Sequence, residues 1–521
     1  MVNSISKNVA RVQNVRFNAL LGVKDIIIVN LCKTDNFLGE LLMDQKEIYE
    51  ALAAIVGEDD VTIDPVELVA YASDASFLRA IPVAVVRPES KEEVAEILKF
   101  ADENRIPVTP RGAGTSYAGQ SLAYNNAILI DFVKMDKILE INLKDRVAVV
   151  QPGVIYGELN KELRKYGYCF PPDPGSAIAC TVGGMVGNNA SGIRAVKYGA
   201  TVDHVLGLEV VLPGGKIIRT GGRVWKSSSG YNLTRLLVGS EGSLGIFTEI
   251  ILKITPAPKY TAMIVPVFEK YEQGLDAATE IINTGILPSA MEILDDVCIM
   301  VLNSALKEQD RLPPAGAVLF IEVDGSNQEV VKEEAETVRK VCEKIGVKQI
   351  IYATDPKRTE ELWKLRHSLA NLLAKLRGEN IAINSIQDFA VPISHVPEAI
   401  KEVKALAAKY GRLMVAFGHI ADGNVHLGSA INVEDPAQRE MAVKFASEAA
   451  DIIIKKHGGT LSAEHGTGVS KAAFIELEHR DTLTLMRGIK KVFDPHNILN
   501  PMVMGLTEIP KDEFVYMAGV K

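Results

Sequence analysis

The chain has 521 residues, enough for more than one domain at about 150 residues per domain. Its composition, 47% hydrophobic and 24% charged, is typical of a globular protein that buries a large core. The net charge of −9 and the lack of a basic stripe argue against nucleic acid as a partner. No apolar run reaches the roughly 18 residues of a membrane span.

The cysteines are scattered and form no closely spaced pair, so neither a disulfide framework nor an iron–sulfur cluster is predicted. A reducing, cytoplasmic location fits this pattern. Any association with a membrane would then depend on a partner protein.

The sequence pattern divides the chain into four parts. Residues 1–42 show neither a clear pattern nor a convincing signal peptide, and we interpret them as an N-terminal extension. Residues 43–258 alternate short strands and helices and end at a pair of prolines, which is typical of a domain boundary. Residues 259–460 alternate long helical patterns with strands, which predicts an antiparallel sheet backed by helices. Residues 461–521 are glycine-rich at first and then helical.

The first glycine-rich loop, residues 110–116, follows a predicted strand and reads Pro-Arg-Gly-Ala-Gly-Thr-Ser. It is not a Rossmann fingerprint, because Tyr117 stands where the third glycine is needed. It is not a Walker loop either, since no Gly-Lys-Ser/Thr follows. Its backbone N–H groups and small side chains suit a pyrophosphate, although an ordinary tight turn would have the same pattern.

Two further glycine-rich segments lie at residues 171–192 and 239–246. So much glycine is costly in conformational entropy, which indicates that the backbone must approach a large polar ligand at several points. The alternative is three unrelated flexible loops.

Two histidines, His419 and His426, flank an Asp-Gly pair in the apolar segment 417–427. Asp-Gly predicts a two-residue hairpin turn, which would place the histidines directly opposite each other with Cβ atoms roughly 4.5–5.5 Å apart. Glu464 and His465, in a glycine-rich turn, offer a carboxylate and a further imidazole. Together these groups suit an open metal site with its own base. The alternative is a set of core or cross-strand histidines.

In combination, these motifs resemble the FAD-linked D-2-hydroxy-acid dehydrogenases, which include D-lactate dehydrogenase, the glycolate oxidase large subunit and D-2-hydroxyglutarate dehydrogenase. The resemblance covers about residues 44–506 and includes the motif Asn-Ile-Leu-Asn-Pro at 497–501. It implies an α+β fold, with a two-subdomain FAD-binding domain of the vanillyl-alcohol-oxidase type at 43–258. An α+β substrate (cap) domain with an antiparallel sheet would occupy 259–460, and the segment 461–521 would complete the active site.

The resemblance also implies which residues bind FAD. The first loop would hold the pyrophosphate, through Arg111, Gly112, Ala113, Gly114, Thr115 and Ser116. The rest of the cofactor would be lined by Asp173, Pro174, Gly175, Ser176, Thr181, Gly184, Asn188, Ser191, Glu241, Ile246 and Asn500. Some relatives tether FAD covalently through a loop His or Cys. None occurs here from Arg111 to Ser121, so we expect dissociable, non-covalent FAD.

The implied reaction is oxidation of a 2-hydroxy acid to a 2-oxo acid, with hydride passing to flavin N5. His465 is the candidate base, because an imidazole can take up a proton near neutral pH. A divalent metal (Zn, Mn or Fe) held by His419, His426 and Glu464 would polarise the substrate hydroxyl.

Arg366 resembles the family arginine that clamps the substrate carboxylate, a task suited to a planar bidentate donor. The alternative for Arg366 is a solvated helix charge. Asn424, next to the predicted turn, could add a hydrogen bond to the substrate. Relatives that take a dicarboxylate use an extra cation downstream, whereas residues 384–389 carry no Lys or Arg. We therefore expect D-lactate or glycolate as the substrate, with D-2-hydroxyglutarate as the alternative.

No NAD fingerprint or cysteine cluster is present, so the expected electron acceptor is a partner protein, either an electron-transferring flavoprotein or an iron–sulfur subunit. Two other functions stay open from the sequence. One is a non-catalytic FAD subunit of a larger oxidase complex, and the other is a metal hydrolase with a structural nucleotide site.

Overall fold

The computed structural model describes residues 43–308, 311–378, 380–382, 386–432 and 435–507. The predicted N-terminal extension, residues 1–42, lies outside the described residues. Within the described ranges, none of the helices combines the length and the apolar character that crossing a membrane requires.

A four-stranded sheet begins the described chain, with strand order β1-β2-β4-β3. Strands β2, β4 and β3 pair in parallel, and β1 is antiparallel to β2. Helix α3 forms the crossover from β2 to β3, which lie on either side of β4. The elements are α1 (Gln45–Val56), β1 (Val61–Thr62), α2 (Pro65–Tyr71), β2 (Ala84–Val86), α3 (Lys91–Glu103), β3 (Val108–Arg111) and β4 (Ile128–Asp131).

A five-stranded antiparallel sheet follows, with strand order β5-β6-β10-β8-β9. Helices α4 and α5 pack on it through Leu159 and Val182, which are fully buried. The strands are β5 (Ile138–Asn142), β6 (Val147–Val150), β8 (Val205–Val211), β9 (Ile217–Gly221) and β10 (Ile246–Lys253), and β7 (Tyr168–Cys169) pairs separately with β11 (Thr255–Pro256). The helices are α4 (Tyr156–Arg164), α5 (Val182–Asn188), α6 (Ala195–Tyr198) and α7 (Leu233–Leu237).

The third sheet, here called the cap sheet, has seven antiparallel strands in the order β15-β12-β14-β13-β18-β19-β17. The predicted antiparallel sheet backed by helices, and with it the α+β class, is confirmed. The strands are β12 (Tyr260–Phe268), β13 (Ala290–Asp295), β14 (Ala317–Gly325), β15 (Gln349–Ala353), β17 (Asp388–Ala390), β18 (Val415–His419) and β19 (Asn424–Gly428); β16 (Ile381–Ala382) pairs with β20 (Ala430–Ile431). The helices are α8 (Tyr271–Asn283), α9 (Asp296–Ser304), α10 (Gln328–Ile345), α11 (Pro356–Arg377), α12 (Val396–Lys409) and α13 (Pro436–Ala450).

Helices cover both faces of the cap sheet. Helices α8, α10, α12 and α13 share a hydrophobic core with one face, and α9 and α11 share another core with the opposite face. The domain boundaries at residues 258 and 460 stay predictions; the first falls between β11 and β12.

The face of the cap sheet that carries α9 and α11 also holds a row of buried polar side chains, one from each of five adjacent strands. Glu292 is directly opposite His419, and His426 is directly opposite Asp388. Because side chains alternate along a strand, their sequence neighbours point into the other core. In strand order, this polar row consists of Glu322, Glu292, His419, His426 and Asp388.

The predicted two-residue turn between β18 and β19 is wrong. His426 is opposite Phe417 rather than His419, and residues 420–423 form a four-residue loop. Asp422 does not adopt the positive φ that the predicted turn requires. The register shift is two residues, so His419 and His426 still lie on one face, as diagonal neighbours.

The C-terminal segment, with helices α14 (Ile475–His479) and α15 (Leu483–Phe493), joins the first sheet. Leu499 forms a parallel bridge with Val108, and the N–H of Asn500 donates to the Val108 carbonyl at 2.8 Å. Lys490 holds this arrangement from α15. Its buried Nζ donates to the carbonyls of Ser243 and Leu499 at 2.8 and 2.7 Å, and to the carboxylate of Asp494.

We expect Lys490→Met to lower the apparent free energy of unfolding by about 3–5 kcal/mol, because it leaves the buried charge of Asp494 without its cation. Urea unfolding of the purified protein measures this change. The matched control is Lys491→Met, which alters an exposed neighbour on the same helix and should change the value by less than about 0.5 kcal/mol. Equal effects of the two substitutions would contradict the assignment.

Candidate active site

Three imidazoles converge on one carboxylate oxygen at the edge of the polar row. The Nε2 atoms of His419, His426 and His465 lie 3.4, 3.3 and 3.4 Å from Oε1 of Glu464. The Nε2 atoms of His419 and His426 are 3.4 Å apart. The structure therefore brings together all three predicted metal ligands and the predicted base.

This donor set fits a divalent metal. The donor atoms of His419, His426 and Glu464 all lie within 4.8 Å of one another, and those of Asp388, His426 and His465 form a second such group. Nδ1 of His426 is buried and has no hydrogen-bond partner among the described residues. Two imidazoles and a carboxylate leave positions open for a substrate, as in catalytic sites for zinc or iron.

The ionisable groups of the cluster shift one another's pKa values. Burial raises the pKa of Glu464, but His419 and the hydrogen bonds from the imidazoles outweigh it and hold that pKa well below the ordinary value. Burial lowers the pKa of His419, but Glu292 and Glu464 outweigh it and raise that pKa well above the usual range. Burial lowers the pKa of His426, and Glu464 opposes the shift only in part. The carboxylate of Glu464 is therefore ionised and ready to bind a cation.

Asp388, at the start of β17, positions the turn that carries Glu464 and His465. Its Oδ2 accepts the backbone N–H groups of these two residues at 3.1 and 2.9 Å and lies 3.3 Å from Nζ of Lys471. The ring of His465 then stacks on His426, with centroids 5.2 Å apart. Asp388 was not among the predicted site residues; the available signal was a single acid at the start of an apolar strand.

Arg366 is buried rather than solvated, which excludes the alternative of a solvated helix charge. From α11, its Nε and Nη2 donate to Oε2 of Glu292, and its guanidinium lies 5.2 Å from the ring centroid of Phe417. Oε1 of the same glutamate bonds to Nδ1 of His419. Burial raises the pKa of Glu292, but His419 and Arg366 outweigh it and lower that pKa to about 2. Glu292 was also missed, although it is an acid within an apolar strand.

Asn424 ties β19 to β17. Its Nδ2 donates to Oδ1 of Asp388 at 2.9 Å and to the Phe389 carbonyl at 3.0 Å. Both amide N–H groups are therefore engaged within the protein. Only the carbonyl oxygen of Asn424 could meet a substrate without breaking these bonds.

The first two glycine-rich loops touch each other. A Cβ on Gly112 would lie 2.2 Å from Oγ1 of Thr181, so a larger residue is excluded at this contact. The Thr181 hydroxyl also accepts the N–H of Gly184 at 3.2 Å and thereby caps α5. Among the predicted FAD residues of these two loops, Ala113, Gly175 and Gly184 are exposed, and the partly exposed ones include Gly114, Thr115, Pro174 and Ser176.

Several charged or hydroxyl side chains that are predicted to contact FAD also hold the loops in place through hydrogen bonds within the protein. The guanidinium of Arg111 donates to the carbonyls of Ser73 and Ser121 at 2.9 and 3.3 Å. Ser116 donates to Asp74 at 2.6 Å. The carboxylate of Asp173 is paired with Arg194, and burial raises its pKa to about 6 against the opposing effect of this arginine. Contacts of these loops with a pyrophosphate would therefore come mainly from backbone N–H groups.

Three other predicted FAD residues, Asn188, Ser191 and Glu241, contact the turn that carries Glu464 and His465. The Ser191 hydroxyl donates to Oε2 of Glu464 at 3.2 Å, and Asn188 Nδ2 donates to the Glu464 carbonyl at 2.7 Å. The carboxylate of Glu241 accepts the N–H groups of Thr467 and Gly468 at 2.7 and 2.8 Å. Burial raises the pKa of Glu241 to about 7, opposed by these two N–H groups.

Gly466 lies at the centre of this junction. Its φ of 78° is left-handed, and a Cβ would lie 2.3 Å from Oδ1 of Asn188 and 2.7 Å from Oε1 of Glu241. Asn500 completes the junction, since its Nδ2 donates to the carbonyls of Gln120 and Glu241 at 2.8 Å each. Ile246 is buried at the start of β10. A cavity of about 300 Å³ adjoins the junction and is lined in part by Asn188, Glu241, Glu464, Thr467 and Lys471.

The chain is similar to known FAD-linked oxidases over most of its length. Residues 82–221 match the FAD binding domain family, and residues 257–504 match the C-terminal domain of FAD linked oxidases. The glycolate oxidase subunit GlcD of Bacillus subtilis is 35% identical over 88% of this chain and 97% of its own length. A D-lactate dehydrogenase of Anaerostipes hadrus is 34% identical over 82% of this chain and 90% of its own length.

Among solved structures, p-cresol methylhydroxylase with substrate bound shares the fold, with a TM-score of 0.70 at 20% identity over 89% of this chain and 98% of its own. The flavoprotein fold of the vanillyl-alcohol-oxidase type is therefore confirmed. With its glycine-rich loops packed against a histidine cluster, the chain belongs to the FAD-linked oxidase family that includes D-lactate dehydrogenases and glycolate oxidase subunits.

Proposed function

We propose that the protein oxidises a short D-2-hydroxy acid, D-lactate or glycolate, to the 2-oxo acid. The observation that carries this proposal is the convergence of His419, His426 and His465 on Glu464, directly against FAD-loop residues such as Ser191. The names of the similar D-lactate dehydrogenase and glycolate oxidase subunit support the substrate class.

His419, His426 and Glu464 would hold the divalent metal, Zn, Mn or Fe, which when bound polarises the substrate hydroxyl. FAD, bound without a covalent link by the glycine-rich loops, supplies the acceptor for the hydride from the substrate Cα. The loops and the metal ligands meet through Ser191 and Asn188, so both groups would face one substrate pocket.

His465 is the proposed base. Its Nδ1 lies 3.8 Å from Oδ2 of Asp388, and its Nε2 faces the cluster at Glu464. The carboxylate behind Nδ1 favours a proton on that nitrogen, which leaves Nε2 to take the hydroxyl proton of the substrate. The backbone bonds from Asp388 to the turn hold the ring in this position.

Arg366 is the proposed clamp for the substrate carboxylate. Its pairing with Glu292 fixes the guanidinium on the opposite side of this carboxylate from His419, a proposed metal ligand. From residue 386 to 389 the described chain offers no cation for a second carboxylate, and Ile386 is buried. Residues 384 and 385 lie outside the described part. This favours a monocarboxylate over D-2-hydroxyglutarate.

The proposed electron acceptor is a partner protein, an electron-transferring flavoprotein or an iron–sulfur subunit. Association with a membrane, if any, would run through that partner. A non-catalytic FAD subunit is the second candidate. Such a subunit would not need the cluster of His419, His426, His465 and Glu464. A metal hydrolase has no support from the family.

We expect the protein to purify yellow and to release FAD into the supernatant on acid precipitation. The physical reason is that residues 111–121, which begin within the first glycine-rich loop, contain no His or Cys to form a covalent bond to the flavin. Absorbance of pellet and supernatant gives the result, with free FAD carried through the same procedure as the control. Flavin that stays in the precipitated chain would contradict non-covalent binding.

We expect His419→Ala to reduce turnover by more than about 100-fold while FAD stays bound, because it removes a metal ligand outside the glycine-rich loops. Exhaustive chelation should have the same effect, reversed by Zn²⁺, Mn²⁺ or Fe²⁺. The control is His457→Ala, which removes another buried histidine paired with a glutamate, Glu402, outside the cluster. An unchanged rate after chelation, with no metal found by elemental analysis, would refute the metal site.

The test of the proposed function is anaerobic stopped-flow reduction of the flavin by D-lactate, L-lactate, glycolate and D-2-hydroxyglutarate. The clamp, the metal and the base define three points around Cα, so only one enantiomer can align its Cα–H with the flavin. We expect D-lactate to reduce the flavin far faster than L-lactate, and glycolate to be accepted. Equal rates for the two enantiomers would contradict the model.

In the same assay, His465→Ala should slow reduction by about 10²–10⁴-fold, the usual contribution of a general base. Arg366→Met should mainly weaken substrate binding, because the clamp is lost while the base remains. Arg358→Met, at an exposed arginine on the same helix, is the control and should leave both quantities unchanged.

A further inference from the structure

Glu292 shares one buried carboxylate between the proposed substrate clamp and a proposed metal ligand. It lies in the middle of the polar row and is fully buried. Oε2 accepts both bonds from Arg366, and Oε1 contacts Nδ1 of His419. These partners come from α11 and β18, so Glu292 connects two elements that each supply one functional group.

The donor and acceptor inventory determines which nitrogen of His419 carries a proton. A guanidinium has only donors, so Arg366 and the carboxylate are fully matched. A carboxylate has only acceptors, so Nδ1 of His419 must donate to it. In the neutral imidazole, Nε2 is then the nitrogen with a free lone pair, and Nε2 is the atom that faces Glu464 and His426.

We propose that Glu292 is a positioning residue that holds His419 in the tautomer whose Nε2 binds the divalent metal, while it also orients Arg366. This inference rests on the metal site of the proposed function and adds a residue to it. Carboxylates behind metal-binding histidines fix the ring and the tautomer in this way, and their loss commonly weakens metal binding about 10–100-fold.

Glu292→Gln is a sharp test because glutamine has nearly the same shape but a different pattern of donors. Its carbonyl oxygen must face Arg366, which can only donate, so its NH₂ group must face Nδ1 of His419. Nδ1 then has to accept, and the proton moves to Nε2. The substitution thus preserves the packing and the bond to Arg366 but blocks the proposed ligand atom.

Glu322→Gln provides a matched control. Glu322 lies on the neighbouring strand, belongs to the same polar row and is also buried. It pairs with Arg194 and accepts from Trp363 at 2.7 Å. Both substitutions remove a buried carboxylate charge from an arginine. The glutamine NH₂ at position 322 would also face Arg194 or Trp363, which can only donate, so a purely structural effect should be at least as large in Glu322→Gln.

The experiment measures Zn²⁺ affinity of the metal-free, FAD-loaded proteins by competition with a chromogenic chelator, with flavin content and melting temperature recorded for each. We expect the dissociation constant for Zn²⁺ to rise about 10–100-fold in Glu292→Gln and to stay at the wild-type value in Glu322→Gln. Equal Zn²⁺ affinities of wild type and Glu292→Gln would overturn the inference. If wild type itself binds no Zn²⁺, the metal part of the proposed function also fails, so the two failures are distinguishable.

If Glu292→Gln does not fold, the proposal is tested on the wild-type protein. The measurement is NMR of ¹⁵N-histidine-labelled protein with Zn²⁺ bound. We expect a proton on Nδ1 of His419 and none on Nε2. The signals of His419 are identified by their absence in His419→Gln. An unprotonated Nδ1 would overturn the inference.

Discussion

The main physical constraint on this protein is that several carboxylates are buried and each must be paired. An ionised carboxylate taken out of water costs several kcal/mol unless cations and hydrogen-bond donors surround it. Glu292 is paired with Arg366 and His419, and Asp388 with Lys471 and two backbone N–H groups. The buried carboxylates of the cap sheet therefore depend for their pairing on Arg366 of α11 and Lys471 of the C-terminal segment.

The same requirement joins the cap sheet to the loops that are predicted to bind FAD. Glu464 is largely buried, and its two oxygens face different parts of the chain, with Oε1 toward the imidazoles and Oε2 toward Ser191. Arg194, three residues after Ser191, pairs with Asp173 and with Glu322 of the polar row. Charge pairing thus places the predicted FAD loops and the proposed metal ligands at one junction. Groups held on both sides in this way are preorganised for reaction.

Much of the candidate site was predictable from local sequence, because each motif combines backbone requirements with side-chain chemistry over a few residues. The three glycine-rich loops, the pair His419 and His426 and the Glu464-His465 turn were all recognised, and the structure brings them together. The pairing of His419 with His426 survived a wrong turn prediction, since a shift of two residues keeps both on one face of the sheet.

From the sequence alone, spacing within short segments indicated the glycine-rich loops and the candidate metal and base residues, and the family resemblance implied the α+β fold and a role of these loops in FAD binding. Only the tertiary structure decided the roles of Glu292 and Asp388, the burial of Arg366 and the internal use of Arg111 and Asp173. Glu292 meets Arg366 and His419 across 74 and 127 residues of chain. An isolated acid in an apolar strand predicts that a partner is needed, but it does not identify the partner. The partner depends on strand order and register, which are properties of the folded chain.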